Sequence, residues 1–168
     1  KVRLAKGKNP LIGNMAVLVA LNQFREIAEK LRSNEIGDFA WERAAIGRQK
    51  PRQIIVASTF LGTPNALKAR LLAKGIKPDQ IVELHGGLNP SQKQENVDRF
   101  QLGKALFMLM TLRTGGVGLS LDHDGSCVAQ MPREVILPPT WSPIELTQAL
   151  GRAHRVLTIS TTRQWIVW

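Results

Sequence analysis

The sequence predicts an α/β fold: a doubly wound, mainly parallel sheet with helices on both faces, folded as a single lobe. Two observations carry this. Short apolar runs are continuous where a half-exposed strand would alternate, as in Gln53–Ser58 (QIIVAS) and Ala105–Met110 (ALFMLM). Strands buried on both faces read this way. Segments with helical spacing separate successive runs, the rhythm of a parallel sheet with crossover helices. In such sheets chemistry collects on the loops at the carboxyl ends of the strands.

Taken in order, residues 1–13 are basic and loop-like, with Pro10 and Gly13 as breakers. From Asn14, a candidate N-cap, apolar residues recur at Val17, Leu21, Phe24, Ile27, Ala28 and Leu31, a helix expected to end near Ser33 and Asn34. Residues 35–52 read as a short helix and a connector. Strands follow at Gln53–Ser58, Ile81–Leu84, Ala105–Met110, Glu134–Leu137 and Gln164–Trp168. Helices are expected between them over Pro64–Lys74, Ser91–Gln101 and Pro143–His154. This gives two regions: a basic segment with a linker helix (1–52) and the α/β domain (53–168).

Twenty-three Lys and Arg against thirteen Asp and Glu give the 168-residue chain a formal charge of +10. Such a field favours polyanionic partners, nucleic acid first among them. No apolar run reaches the ~20 residues that span a bilayer, so no membrane partner is expected. The first residues lack the apolar centre of a signal peptide. Cys127 is the single cysteine, which excludes an intrachain disulfide and a cysteine-rich zinc site. An intracellular setting is the expectation. The chain starts without Met and stops inside an expected strand, as an excerpt of a longer protein would.

Two stretches carry candidate chemistry. Thr111–Leu119 follows the third strand and contains Gly115, Gly116 and Gly118. Glycines there let the backbone approach a phosphate or ribose, and the hydroxyls of Thr111 and Thr114 can donate to phosphate oxygens. No Gly-Lys-Ser/Thr follows, so this is not a Walker A loop. In Gln148–Arg155, helical spacing aligns Gln148, Arg152 and Arg155 on one face. Two arginines so placed suit the charge of a transferring phosphoryl group. Asp122-His123-Asp124-Gly125 has metal-binding residue types but reads better as a solvated turn.

Together these stretches resemble the conserved blocks of superfamily-two helicases. Gln148–Arg155 resembles motif VI, Gln-x-x-Gly-Arg-x-x-Arg, and its Ala-His-Arg ending looks most like the Swi-Snf-type DNA translocases. Thr111–Leu121 is similar to motif V, Ile54–Phe60 to motif IV, and Leu84–Gly87 with Arg99-Phe100 to the block that follows it. Val135–Pro143 (VILPPTWSP) resembles the segment before motif VI. The match runs in order over residues 53–168, about two thirds of the chain. It departs from the Swi-Snf pattern at Pro138-Pro139, at Gly151-Arg152, and in an insertion over Asp122–Arg133.

The resemblance implies a RecA-like lobe, the second of two that share an ATP site. Arg152 and Arg155 would reach the γ-phosphate, Gln148 would order the site, and Gly116 and Gly118 would flank the nucleotide. Ser58, Thr59, His85, Gly86, Thr111 and Thr114 would contact backbone phosphates of a nucleic acid, DNA more than RNA, and Trp141 would press on a base or sugar. ATP and Mg²⁺ are the implied cofactors. The magnesium ligands and Walker lysine would lie on a first lobe, since the chain has no GxxxxGK[ST] and no Asp-Glu pair after an apolar strand. The alternative functions are a nucleic-acid-binding adaptor without ATP turnover and an unrelated α/β enzyme such as a nucleotide-sugar transferase.

Overall fold

A computed structural model describes residues 10–47, 51–114, 121, 131–139, 143–153 and 161–167, with backbone alone for 10–14, 143, 152 and 153. Its elements are α1 (Pro10–Ala44), β1 (Gln53–Ser58), α2 (Gly62–Ala73), β2 (Ile81–Leu84), α3 (Pro90–Gln101), β3 (Phe107–Thr111), β4 (Arg133–Leu137), α4 (Pro143–Ala153) and β5 (Thr162–Ile166).

The five strands form one sheet in the order β2-β3-β1-β4-β5. Every neighbouring pair is parallel, with Ser58 level with Thr111, Leu84 with Met110, and Leu137 with Ile166. All strand carboxyl ends therefore reach one edge. The period of two splits the apolar runs into two cores. Ile54, Val56, Phe107, Leu109 and Ile136 face α1 and α2 and pack on Ile36, Ala40, Ala44, Leu67 and Leu71. Ile55, Ala57, Met108, Met110, Val135 and Leu137 face the other way, against Val97, Phe100 and Ala149. The expected doubly wound fold is present, with β1 and β2 where the apolar runs put them and β3, β4 and β5 displaced by two residues at most.

The first helix departs from expectation. It begins at Pro10 and continues past Ser33 and Asn34 to Ala44. Proline is tolerated in a first turn, where its missing N–H costs nothing. Ser33, read as a stop, donates its hydroxyl to the Lys30 carbonyl (2.6 Å), so its polar group is satisfied within the helix. The helix ends instead where Ala45 and Gly47 take positive φ. Its buried face also differs from the apolar pattern. Val17, Leu21, Phe24, Ile27 and Leu31 are all exposed, whereas Ser33, Ile36, Ala40 and Ala44 are buried. The segment set outside the domain by its basic composition thus supplies core residues.

α1 and α2 run in the same direction. Asp38 takes a forked hydrogen bond from Arg70 (2.8 and 2.7 Å) and a contact from Lys74 (3.0 Å). The Arg70 hydrogen bond, with help from Lys74, lowers the Asp38 carboxyl to about 2. α3 starts on a capping box, Asn89 Oδ1 accepting from the Gln92 N–H (2.8 Å) and Gln92 Oε1 from the Asn89 N–H (3.0 Å), with Pro90 in the first turn.

Two buried charges bind the amino edge. Arg133, fully buried in β4, donates to Gln53 Oε1 (3.0 Å), Leu121 O (2.7 Å) and Gln101 Oε1 (2.6 Å), with its guanidinium 5.1 Å from the centre of the Phe100 ring. Beside it, Glu134 accepts from Arg43 (2.7 Å twice), from the Trp165 indole N–H (2.8 Å), and pairs with Arg52 (2.9 Å). Burial pushes the Glu134 carboxyl up, but these cations and the indole N–H outweigh it and leave it below its ordinary value.

Candidate nucleic-acid interface

Because all strands point one way, the loops after β1, β2 and β3 converge on the carboxyl edge. They enclose an open cleft of about 660 Å³ lined by Thr59, Phe60 and Leu61 after β1, Gly86 after β2, and Thr111 to Thr114 after β3. Asn22 and Arg25 of α1 and Glu145 of α4 complete it. Four residues expected to contact phosphates, Thr59, Gly86, Thr111 and Thr114, therefore meet in one cleft. The Thr111 hydroxyl donates to that of Thr114 (2.8 Å), which orients the pair at the end of β3.

Ser58 is placed differently. Only 1% exposed, it donates its hydroxyl toward Met110 O (3.2 Å) and Phe60 O (3.3 Å), so the side chain ties β1 to β3. His85 lies beside Glu83, Nε2 to Oε2 3.7 Å, while Nδ1 accepts from the Gly87 N–H (3.2 Å). That hydrogen bond holds the turn after β2, with Gly86 exposed on the cleft wall.

α4 leaves the same edge. Gln148 is exposed on it, and Arg152 follows one turn later in the same helix. Ala149 is buried in the core, which fixes the helix against the sheet. Gly116, Gly118, Trp141 and Arg155 lie outside the described residues. Among the described residues no group of three or more His, Cys, Asp or Glu side chains suits a metal ion, and no helix is long and apolar enough to cross a membrane.

On α1, three residues at this edge escaped the sequence reading: Asn22, Arg25 and Glu29. Arg25 sits over the Phe60 ring, 6.0 Å from its centre. Glu29 accepts from the Thr59 N–H (3.0 and 3.2 Å), the Phe60 N–H (3.4 Å) and the Thr63 hydroxyl (2.7 Å). The signal that finds them is helical spacing. Continuing the stripe of Ala44, Ala40, Ile36 and Ser33 backwards in steps of three or four reaches Glu29, Arg25 and Asn22.

A parallel five-stranded sheet, covered on both faces and carrying its polar loops on one edge, defines a RecA-like lobe. The chain belongs to the helicase conserved C-terminal domain family, whose model matches residues 39–157. It is 30% identical over 105 residues to the helicase-like transcription factor of Mus musculus, covering 61% of this chain and 10% of that protein. It is 27% identical over 108 residues to the DNA repair protein RAD5 of Debaryomyces hansenii, covering 62% of this chain and 8% of that protein. Both are superfamily-two proteins of the Swi-Snf type. The fold is similar to that of S. cerevisiae Dbp5 in a structure with RNA and ADP BeF3, with a TM-score of 0.58 and 18% identity over 82% of this chain and 32% of that one. The chain thus spans a small part of the length of the relatives it matches.

Proposed function

We propose that this chain is the second lobe of an ATP-dependent nucleic-acid translocase, supplying arginines to a split ATP site and phosphate contacts to a DNA track. The observation that carries the reading is the carboxyl-edge cleft. It gathers hydroxyls and backbone N–H groups from three strand ends beside Arg25 and Arg113, and α4, the helix of the arginine motif, starts from the same edge. Donors of this kind hold a phosphodiester backbone without reading bases. The formal charge of +10 adds a long-range attraction for the same polyanion.

On this reading Arg152 and Arg155 neutralise charge that develops on the γ-phosphoryl group, and Gln148 orders them. Gly116 and Gly118 let the chain approach the nucleotide, and Trp141 presses on a base or sugar. Thr59, His85, Gly86, Thr111 and Thr114 hold the nucleic-acid strand. Mg²⁺ and the Walker lysine would belong to a first lobe, since the sequence carries no GxxxxGK[ST]. This chain alone is then inactive.

The test is Arg155→Ala in the intact protein. DNA-stimulated turnover should fall on the order of 10³-fold, because the transition state loses a fixed positive charge. DNA affinity without nucleotide should stay within about twofold, an effect of ordinary surface size. Arg155→Lys should fail nearly as badly, keeping the charge without the planar fork. Normal turnover in Arg155→Ala refutes the arginine assignment. Absent turnover in the unaltered protein, with DNA binding intact, favours an adaptor, and stimulation by RNA in place of DNA reassigns the track.

A further inference from the structure

The cleft wall already holds an anion, and it comes from the chain itself. Glu29 lies where β1 ends and α2 begins, its carboxylate taking two backbone N–H groups and the Thr63 hydroxyl. The two N–H groups lie in the loop before α2, and the helix itself, from Gly62, has no side-chain cap and no acidic residue in its first turn. The donor set differs from those of the other bound carboxylates. Asp38 is held by Arg70 and Lys74 and Glu134 by Arg43 and Arg52, whereas Glu29 forms no ion pair among the described residues. Loop backbone N–H groups with a threonine hydroxyl are also the donors that hold phosphate oxygens of a nucleic acid.

The fit is also incomplete. Thr59 Oγ1 is buried with no hydrogen-bond partner among the described residues, beside a carboxylate already bound to the same residue's N–H. An unmade bond of this kind is costly. Glu29 has two oxygens in one plane. A phosphodiester presents oxygens tetrahedrally and can serve a hydroxyl that the planar group leaves idle. Phe60, whose N–H is in this nest, lines the cleft together with Arg25, one turn before Glu29 on α1.

We propose that Glu29 is a built-in competitor for a backbone phosphate: α1 carries its carboxylate into a subsite of the track, and nucleic acid must displace it to seat fully. The proposal rests on the cleft being a nucleic-acid track. Strand entry is then coupled to the position of α1. Residues 15–24 of α1, ahead of Arg25, are exposed.

The experiment compares the unaltered chain with Glu29→Gln, Glu29→Asp and Arg25→Gln, using a short fluorescein-labelled duplex DNA and a matching single-stranded RNA at several salt concentrations. Removing the competing charge in Glu29→Gln should tighten binding about tenfold, the worth of one hydrogen bond to a charged group. Glu29→Asp, one methylene shorter, should tighten it less. Arg25→Gln should weaken binding and lower the salt slope by about one. Thermal unfolding of each variant shows which are folded, and should Glu29→Gln fail to fold, Glu29→Asp carries the test. If Arg25→Gln weakens binding but the Glu29 variants bind unchanged or more weakly, Glu29 is a structural cap and the proposal is overturned while the track reading stands. If none of the three alters affinity for either probe, the track reading falls and the proposal with it.

Discussion

Two carboxylates, one at each edge of the sheet, are held by opposite means. At the amino edge Glu134, 1% exposed at its side chain, is enclosed by Arg43 and Arg52 and by the Trp165 indole. Those partners come from α1, the loop before β1, and β5, so one charge fastens three parts of the lobe. At the carboxyl edge Glu29 is held by backbone N–H groups and a hydroxyl, with no cation among the described residues. A carboxylate enclosed as fully as Glu134 is out of reach of anions in solution. One held by backbone donors can be exchanged for any anion of suitable shape. The first arrangement suits a joint and the second a binding surface.

The sharpest way to break this comparison is to remove the joint. Glu134→Ala leaves two guanidiniums without a counter-charge and the Trp165 N–H without an acceptor. Loss of one partner of a buried pair typically costs 3–5 kcal/mol. Arg43 and Arg52 keep side-chain exposures of 24% and 30%, so water reaches them and the lower end, about 3 kcal/mol, is expected. Urea unfolding measures it. A loss below about 1 kcal/mol, typical of surface pairs, would make this an ordinary surface contact.

A smaller effect tests how tightly α1 is seated. A Cβ built on Gly37 would lie 2.9 Å from Arg70 Cγ and 3.1 Å from Arg70 Cβ. Arg70 cannot swing aside freely, because Asp38 grips its guanidinium on two nitrogens. Gly37→Ala gains up to about 1 kcal/mol of helix propensity but meets an overpacking cost of about 1–3 kcal/mol. A net loss of about 1 kcal/mol follows, read as a shift of the urea midpoint at constant slope. A gain would show that the two helices separate easily.

Acid titration resolves a weaker feature of the same contact. The Asp38 carboxyl lies at about 2 in the folded chain against an ordinary 3.8. A carboxylate with a lowered folded value contributes stability that is complete above the unfolded value and is lost as pH falls through the folded one. The Asp38 contribution is therefore present above about pH 4 and disappears toward pH 2. Asp38→Asn should be less stable than the unaltered chain at neutral pH and should converge with it near pH 2. Parallel curves from pH 7 to 2 would mean that the ion pair does not couple to folding.

The strands were legible because burial on both faces needs continuous apolar residues, and QIIVAS or ALFMLM leaves little choice. The helix α1 was legible as a helix, but its orientation was not. Its apolar residues Val17, Leu21, Phe24, Ile27 and Leu31 form a pattern that pointed to the wrong face. Ile36, Ala40 and Ala44 face the sheet instead. That error hid Arg25 and Glu29, which lie on the packed side. The glycine and threonine pattern after β3 singled out Thr111 and Thr114, and both line the cleft. Ser58 is a case of the reverse kind: a hydroxyl at a strand end is as able to bond the next strand as a ligand, and its direction is decided by the neighbour's carbonyl.

The last prediction contrasts two glycines, both in helices. Gly37 is explained inside the lobe, by the nearness of Arg70. A Cβ on Gly151 would meet nothing within 4 Å among the described residues, and its φ is not positive. Packing within the described lobe therefore gives no reason for glycine at this position. Gly151→Ala should stabilise α4, by up to about 1 kcal/mol of helix propensity, and the lobe should unfold at slightly higher urea. If α4 instead faces a second lobe that closes on ATP, the added methyl will obstruct that approach. ATP turnover by the intact protein should then fall several-fold although the lobe itself is more stable. The two readouts separate the explanations: greater stability with lower turnover places a contact surface at Gly151. Greater stability with unchanged turnover means nothing closes there, and the split-site geometry needs another face of the lobe.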